Sequence, residues 1–166
     1  MRVSTARAVI ALLLLGLTAG AAAGSPGTTP DPKPSSNPKP VALTGSIGHQ
    51  AVTIAKRYLG IPYVYAGANP KKGFDCSGLT MWALARADIA ASHSSYAQYA
   101  MGSAVSRSDI RRGDLVFFDS FGAGASHVGL AISPTTAVSA TNHGVMTHAI
   151  FDAYWGGHYV GARRVS

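Results

Sequence analysis

The chain contains no glutamate and a single cysteine among its 166 residues. All 7 acidic side chains are therefore aspartates, and no glutamate can serve a site of any kind. One cysteine excludes an intramolecular disulfide, so the thiol is not there to cross-link the chain. No Cys–His pair has metal-ligand spacing, and no cofactor is expected. His143 and His148 lie five apart, which would put them on opposite faces of a single strand. Lys71 and Lys72 precede Gly73, so the phosphate-loop order is not met. No internal repeat occurs. No stripe of basic residues interleaved with aromatics occurs either, and no nucleic-acid partner is expected.

Long apolar runs are equally scarce. Ala8 to Leu17 is too short to span a bilayer comfortably. With Arg2 and Arg7 ahead of it and Ala21-Ala22-Ala23 behind it, the stretch reads as an export signal over residues 1–23. No cysteine lies near the small residues, so lipid attachment there is not expected, nor is a stable membrane anchor. Residues 24–45 are rich in Pro, Ser and Thr and have few large apolar side chains. They read as an extended flexible linker. Residues 46–166, about 120 in number, suffice for one core without staples. A monomer is expected. Without Arg2 and Arg7 the basic count falls from 14 to 12 against 7 acidic residues, near +5. Such a charge would attract anionic wall polymers or simply aid solubility.

The pattern of the domain changes midway. Ser46 to Tyr58 carries a helical apolar face of Ile47, Ala51, Ile54, Ala55 and Tyr58, with Ser46 placed to cap it and Gly60 to stop it. Cys76 to about Ala87 reads as a second helix, with Leu79, Trp82, Ala83 and Ala87 on one face and Arg86 at its margin. A shorter helix runs from Ser94 or Ser95 to Met101. Strands are then predicted at Asp114–Phe118, His127–Ile132, Thr136–Ala140, Val145–Ile150 and Tyr159–Val165. Helices first and strands after imply an α+β domain, N-terminal helices packed on an antiparallel sheet of about five strands.

Cys76 stands where a loop gives way to the second helix, in Gly73-Phe74-Asp75-Cys76-Ser77-Gly78-Leu79. Backbone N–H groups and the dipole at a helix start favour thiolate over thiol. A nucleophilic thiol needs an imidazole in reach, and six histidines compete. His127 opens an apolar strand on a Gly-rich approach, which singles it out. His148 and His158 sit late in ordinary strand patterning.

Ile61 to Ser166 resembles the NlpC-type cell-wall cysteine peptidases, which have a reduced papain-like fold. The resemblance rests on six pieces in order: Pro62-Tyr63-Val64-Tyr65-Ala66-Gly67, Phe74-Asp75-Cys76-Ser77-Gly78-Leu79, His93-Ser94-Ser95-Tyr96-Ala97-Gln98, Arg112-Gly113-Asp114-Leu115-Val116-Phe117-Phe118, His127-Val128-Gly129-Leu130 and Gly161-Ala162-Arg163-Arg164-Val165. It implies Cys76 as nucleophile and His127 as base, with the Tyr63 hydroxyl near the thiol. Asp75 and Ser77 would touch substrate peptide, and Asp75 equally fits a helix cap. His93 would line the substrate groove or simply be exposed.

One departure stands out. The family's third polar residue, often His, falls here on Ser139. A hydroxyl orients an imidazole more weakly than a charged or larger group. His143 and then Asn142 are the alternatives, both a few residues on. The resemblance implies a secreted peptidoglycan hydrolase that cleaves an amide in stem peptides, between D-glutamate (through its γ-carboxyl) and the diamino acid. Two other readings stay open: a wall-binding protein weakened in catalysis, and an acyltransferase or amidase on the same scaffold.

Overall fold

The structure is a computed structural model and describes residues 46–165. The signal read at 1–23 and the linker read at 24–45 lie outside the described residues. The first apolar stripe forms helix α1 (Ile47–Lys56), with Ala51, Val52 and Ala55 fully buried. Ser46 occupies the N-cap position in extended conformation, yet its hydroxyl makes no capping bond.

Helix α2 (Cys76–Ala85) is buried almost all round through its first turn and a half, at Cys76, Ser77, Gly78, Leu79 and Thr80. Asp75 caps it, accepting the Gly78 N–H at 2.7 Å. The helix ends two residues before the predicted Ala87. Asp88 adopts φ +62°, and the Ile89 N–H turns back to the Leu84 carbonyl at 2.9 Å. Arg86 lays its guanidinium over the Trp82 ring, 3.1 Å from the centroid. A small hairpin of β1 (Ala68–Asn69) and β2 (Gly73–Phe74) leads the chain into Cys76. Short helix α3 (Ser95–Tyr99) follows, capped by Ser94.

The main sheet has six strands rather than about five: β3 (Ser103–Val105), β4 (Leu115–Phe118), β5 (His127–Ala131), β6 (Thr136–Thr141), β7 (Gly144–Ala149) and β8 (Tyr159–Arg164). The added strand, β3, is short and mostly exposed, so it carries no apolar alternation to reveal it. The spatial order is β3-β8-β4-β5-β6-β7, and every pairing is antiparallel. The last strand thus inserts between β3 and β4. It is locked there by Arg164, whose guanidinium reaches both oxygens of the buried Asp114 carboxylate at 2.8 Å.

Both sheet faces are covered, which is why Leu115-Val116-Phe117-Phe118 is apolar throughout. Leu115, Phe117, Val128, Leu130, Val138 and Ala140 face the core shared with α1 and α2. Val116, Phe118, Ala131 and Ala137 face a smaller cluster joined by Ile150, Trp155 and Tyr159. The α+β class expected from the sequence is the one observed. Among the described residues no helix is long and apolar enough to cross a membrane.

Candidate active site

The start of α2 meets the start of β5. Cys76 is 7% exposed, and its sulfur lies against the backbone N–H groups of Val128, Ser77 and Cys76 itself. Gly78 permits the close approach of α2 to the preceding loop, because a Cβ there would collide with the Gly67 carbonyl and come within 2.9 Å of His93 Nε2.

The helix start pulls the Cys76 thiol toward thiolate, and burial opposes that pull. Burial pushes the Cys76 thiol above its ordinary range, and the Asp75 charge adds to this. The amide N–H groups oppose that shift without overcoming it. His127 is fully buried, and desolvation, with His148 adding, lowers its pKa from 6.5 to about 3. Both shifts favour the uncharged forms. His127 Nδ1 is buried with no hydrogen-bond partner, the sulfur included. Catalytic hydrogen bonds are often open in a free enzyme and tighten on substrate.

The other ring nitrogen is fully engaged. His127 Nε2 lies 3.0 Å from Ser139 Oγ on β6. Gly129 makes room for that contact, since a Cβ there would stand 3.1 Å from the Ser139 Cβ. Of the three candidates for third residue, Ser139 is the one in contact. Asn142 and His143 sit exposed in the β6–β7 turn and line a separate cavity of about 390 Å³ with Met146, Tyr154 and Trp155.

A groove of about 470 Å³ opens over Cys76 and is lined by Tyr63, Asp75, Ser77, His93 and Tyr96, among others. Tyr63, expected near the thiol, and Asp75, Ser77 and His93, expected at the substrate, thus stand on one cavity with Cys76. Burial raises the Tyr63 phenol, with Cys76 and Asp75 adding. Asp75 is the cap of α2, and it also holds His93, whose Nε2 lies 2.9 Å from each carboxylate oxygen. Ser77 Oγ also reaches Asp75 Oδ1, at 3.1 Å. Gln98, in the same motif as His93, is fully buried. Its amide donates to the Ser77 and Ser92 carbonyls and accepts from Thr80 Oγ1, which fixes the His93 loop to α2.

Three residues at the site escaped the sequence reading. Phe121 borders both cavities and stands between Tyr63 (centroids 6.4 Å) and His127 (5.2 Å). Its loop is closed by Ser126 Oγ, which accepts the Phe121 N–H and donates to the Gly122 carbonyl. Trp155 stacks on His148 at 3.9 Å and lies 5.2 Å from the His127 ring. His148 lies buried on β7, its Nε2 2.8 Å from Ser139 Oγ. The signal for it was the turn at Asn142-His143. Pairing Thr141 with Gly144 sets Ser139 opposite Met146, which leaves His148 one diagonal step away on the same face.

Residues 60–164 match the NlpC/P60 family. The probable endopeptidase p60 of Listeria monocytogenes is 40% identical over 111 residues, covering 67% of this chain and 22% of that protein. The gamma-DL-glutamyl hydrolase of Bacillus subtilis is 38% identical over 120 residues, covering 69% of this chain and 29% of the relative. The chain thus spans about a quarter of the length of these curated relatives. Among solved structures, an NlpC/P60 family protein from Bacillus cereus superposes with a TM-score of 0.64 at 30% identity, covering 70% of this chain and 39% of that one.

Proposed function

Because this chain belongs to the NlpC/P60 family, we propose that it is a cysteine endopeptidase that hydrolyses an amide in peptidoglycan stem peptides. The observation that carries the reading is a lone thiol, on a groove at a helix start, set against the Val128 N–H beside a buried histidine, His127, whose Nδ1 has no partner.

With substrate seated, the Cys76 sulfur attacks the amide carbonyl while its proton passes to His127 Nδ1. A C–S bond forms and the carbonyl electrons move onto oxygen. The backbone N–H of Cys76 and the Tyr63 hydroxyl are the donors available to that oxyanion. The C–N bond then breaks as His127 Nδ1–H protonates the leaving amine. Water next attacks the thioester and gives its proton to Nδ1. The acid is released and the thiol restored. Two uncharged partners suit this route, because charge develops only as attack proceeds.

The bond we propose is that between D-glutamate, through its γ-carboxyl, and the diamino acid. The similarity to a protein named gamma-DL-glutamyl hydrolase supports it. Export through residues 1–23, and action at the wall with the cationic surface held near anionic polymers, belong to the same proposal.

Mass spectrometry of defined muropeptides incubated with the full chain, beside Cys76→Ala, tests it. Cleavage at that bond that vanishes in the variant is expected. A folded chain that binds wall but cuts no muropeptide would replace this reading with a binding role. Transfer to an added amine in preference to water would replace it with an acyltransferase.

A further inference from the structure

Three polar side chains run across adjacent strands β5, β6 and β7. His127 Nε2 is 3.0 Å from Ser139 Oγ, and Ser139 Oγ is 2.8 Å from His148 Nε2. The chain of bonds ends where His148 Nδ1 lies 2.8 Å from the Ala149 carbonyl oxygen. All three side chains are buried, so water does not compete for them.

The protons in this chain can be placed by elimination. A carbonyl oxygen only accepts, so His148 Nδ1 carries hydrogen. Burial favours the neutral form of His148, in which Nε2 is a bare acceptor facing the Ser139 hydroxyl at 2.8 Å. The only hydrogen Ser139 Oγ can offer therefore goes to His148. With that hydrogen committed, the Ser139 oxygen faces His127 only as an acceptor. His127 Nε2 must be the N–H, and Nδ1 is left with a bare lone pair. That is the nitrogen with no partner in the free protein.

Ser139 alone would not produce this result. A hydroxyl donates as readily as it accepts, and with no second partner it could donate to His127 Nε2. The ring proton would then sit on Nδ1, and His127 could not act as a base toward Cys76. We propose that His148 is a positioning residue which, through Ser139, holds His127 in the Nε2–H tautomer and so keeps Nδ1 free to take the thiol proton. Trp155, stacked 3.9 Å from the His148 ring at an interplanar angle of 25°, holds that ring in the required plane. The catalytic part of this inference rests on the proposed peptidase reading. The tautomer part does not.

The test is long-range ¹H–¹⁵N correlation NMR of the imidazoles in the full ¹⁵N-labelled chain, with kcat and KM on a cleaved muropeptide. In the wild type, His127 Nδ1 is expected as the unprotonated nitrogen and Nε2 as the protonated one. His148→Phe removes the acceptor, so His127 should become a mixture of tautomers. Its kcat should fall roughly 10-fold or more with KM little changed, since a wrong tautomer removes the base and not the binding site. His148→Gln can present its amide oxygen to Ser139 and should restore the wild-type tautomer. A purely structural role would lower Tm and leave the imidazole spectrum of the folded chain unchanged.

A wild-type His127 protonated on Nδ1 overturns the inference without any variant. So does a folded His148→Phe with an unaltered His127 spectrum and kcat. If the wild type cuts no muropeptide, the peptidase reading falls, and the spectra still decide the tautomer.

Discussion

His93 Nε2 stands 2.9 Å from each oxygen of the Asp75 carboxylate, while Asp75 Oδ1 also accepts the Gly78 N–H at 2.7 Å. One side chain thus starts the helix that carries Cys76 and ties that helix to the groove rim. The two roles separate by substitution. Asp75→Ala should cost about 1 kcal/mol through loss of the cap. Asp75→Asn keeps a comparable cap and should leave the melting temperature nearly unchanged. If the carboxylate also contacts substrate, KM rises in both variants. An Asn variant with wild-type KM would reduce Asp75 to a cap.

Alkylation reads the resting charge of the thiol. Since burial raises the Cys76 pKa, the iodoacetamide rate should climb with pH through pH 9 rather than level off near neutrality. His127→Gln should change that profile little. A plateau already below pH 7, abolished in His127→Gln, would mean a preformed thiolate–imidazolium pair and would contradict the uncharged resting state.

The neutral His127 makes stability depend on pH with a definite sign. Its folded pKa of about 3 lies below the ordinary 6.5. Between those values the unfolded chain holds a proton that the folded chain does not, so acid favours unfolding. The contribution is fully present above pH 6.5 and is lost as pH falls toward about 3. The slope is at most about 1.4 kcal/mol per pH unit for this group. His148, lowered in the same direction, adds to it. Urea denaturation from pH 7 to 4 should show the decline, and His127→Gln should flatten part of it. Equal slopes in the two proteins would show that His127 is not the source.

Phe121 is the ring that walls the groove from the neighbouring cavity and covers His127. Its ring contacts are worth about 1 kcal/mol. Phe121→Ala should therefore cost up to about 1 kcal/mol of stability, with the side chain 55% exposed, and lower kcat/KM roughly fivefold where those contacts hold the groove wall and His127 in place. Unchanged kinetics would remove Phe121 from the site.

Much of this was legible along the chain. The stripe of Ile47, Ala51, Ile54 and Ala55 made α1 plain, since helix period and burial agree there. Asp75-Cys76-Ser77-Gly78 marked a helix start with a thiol on it, because capping is a local rule. Ser139 came from the family resemblance, as the residue at the position of the third polar group. Strand β3 was missed because three mostly exposed residues carry no alternation, and the end of α2 was overrun because Asp88 adopts φ +62°, a conformation glycine would have announced.

The sequence by itself determined the helix starts, the strand-rich second half and the lone thiol at a helix start, since each is written in neighbouring residues. Only the tertiary structure decided that the last strand lies between β3 and β4, that Phe121 and Trp155 close over His127, and that His148 stands behind Ser139. It alone set the burial that shifts Cys76 and His127 toward their uncharged forms. Desolvation depends on everything packed around a group, and at Cys76 it outweighs the local pull of the helix start.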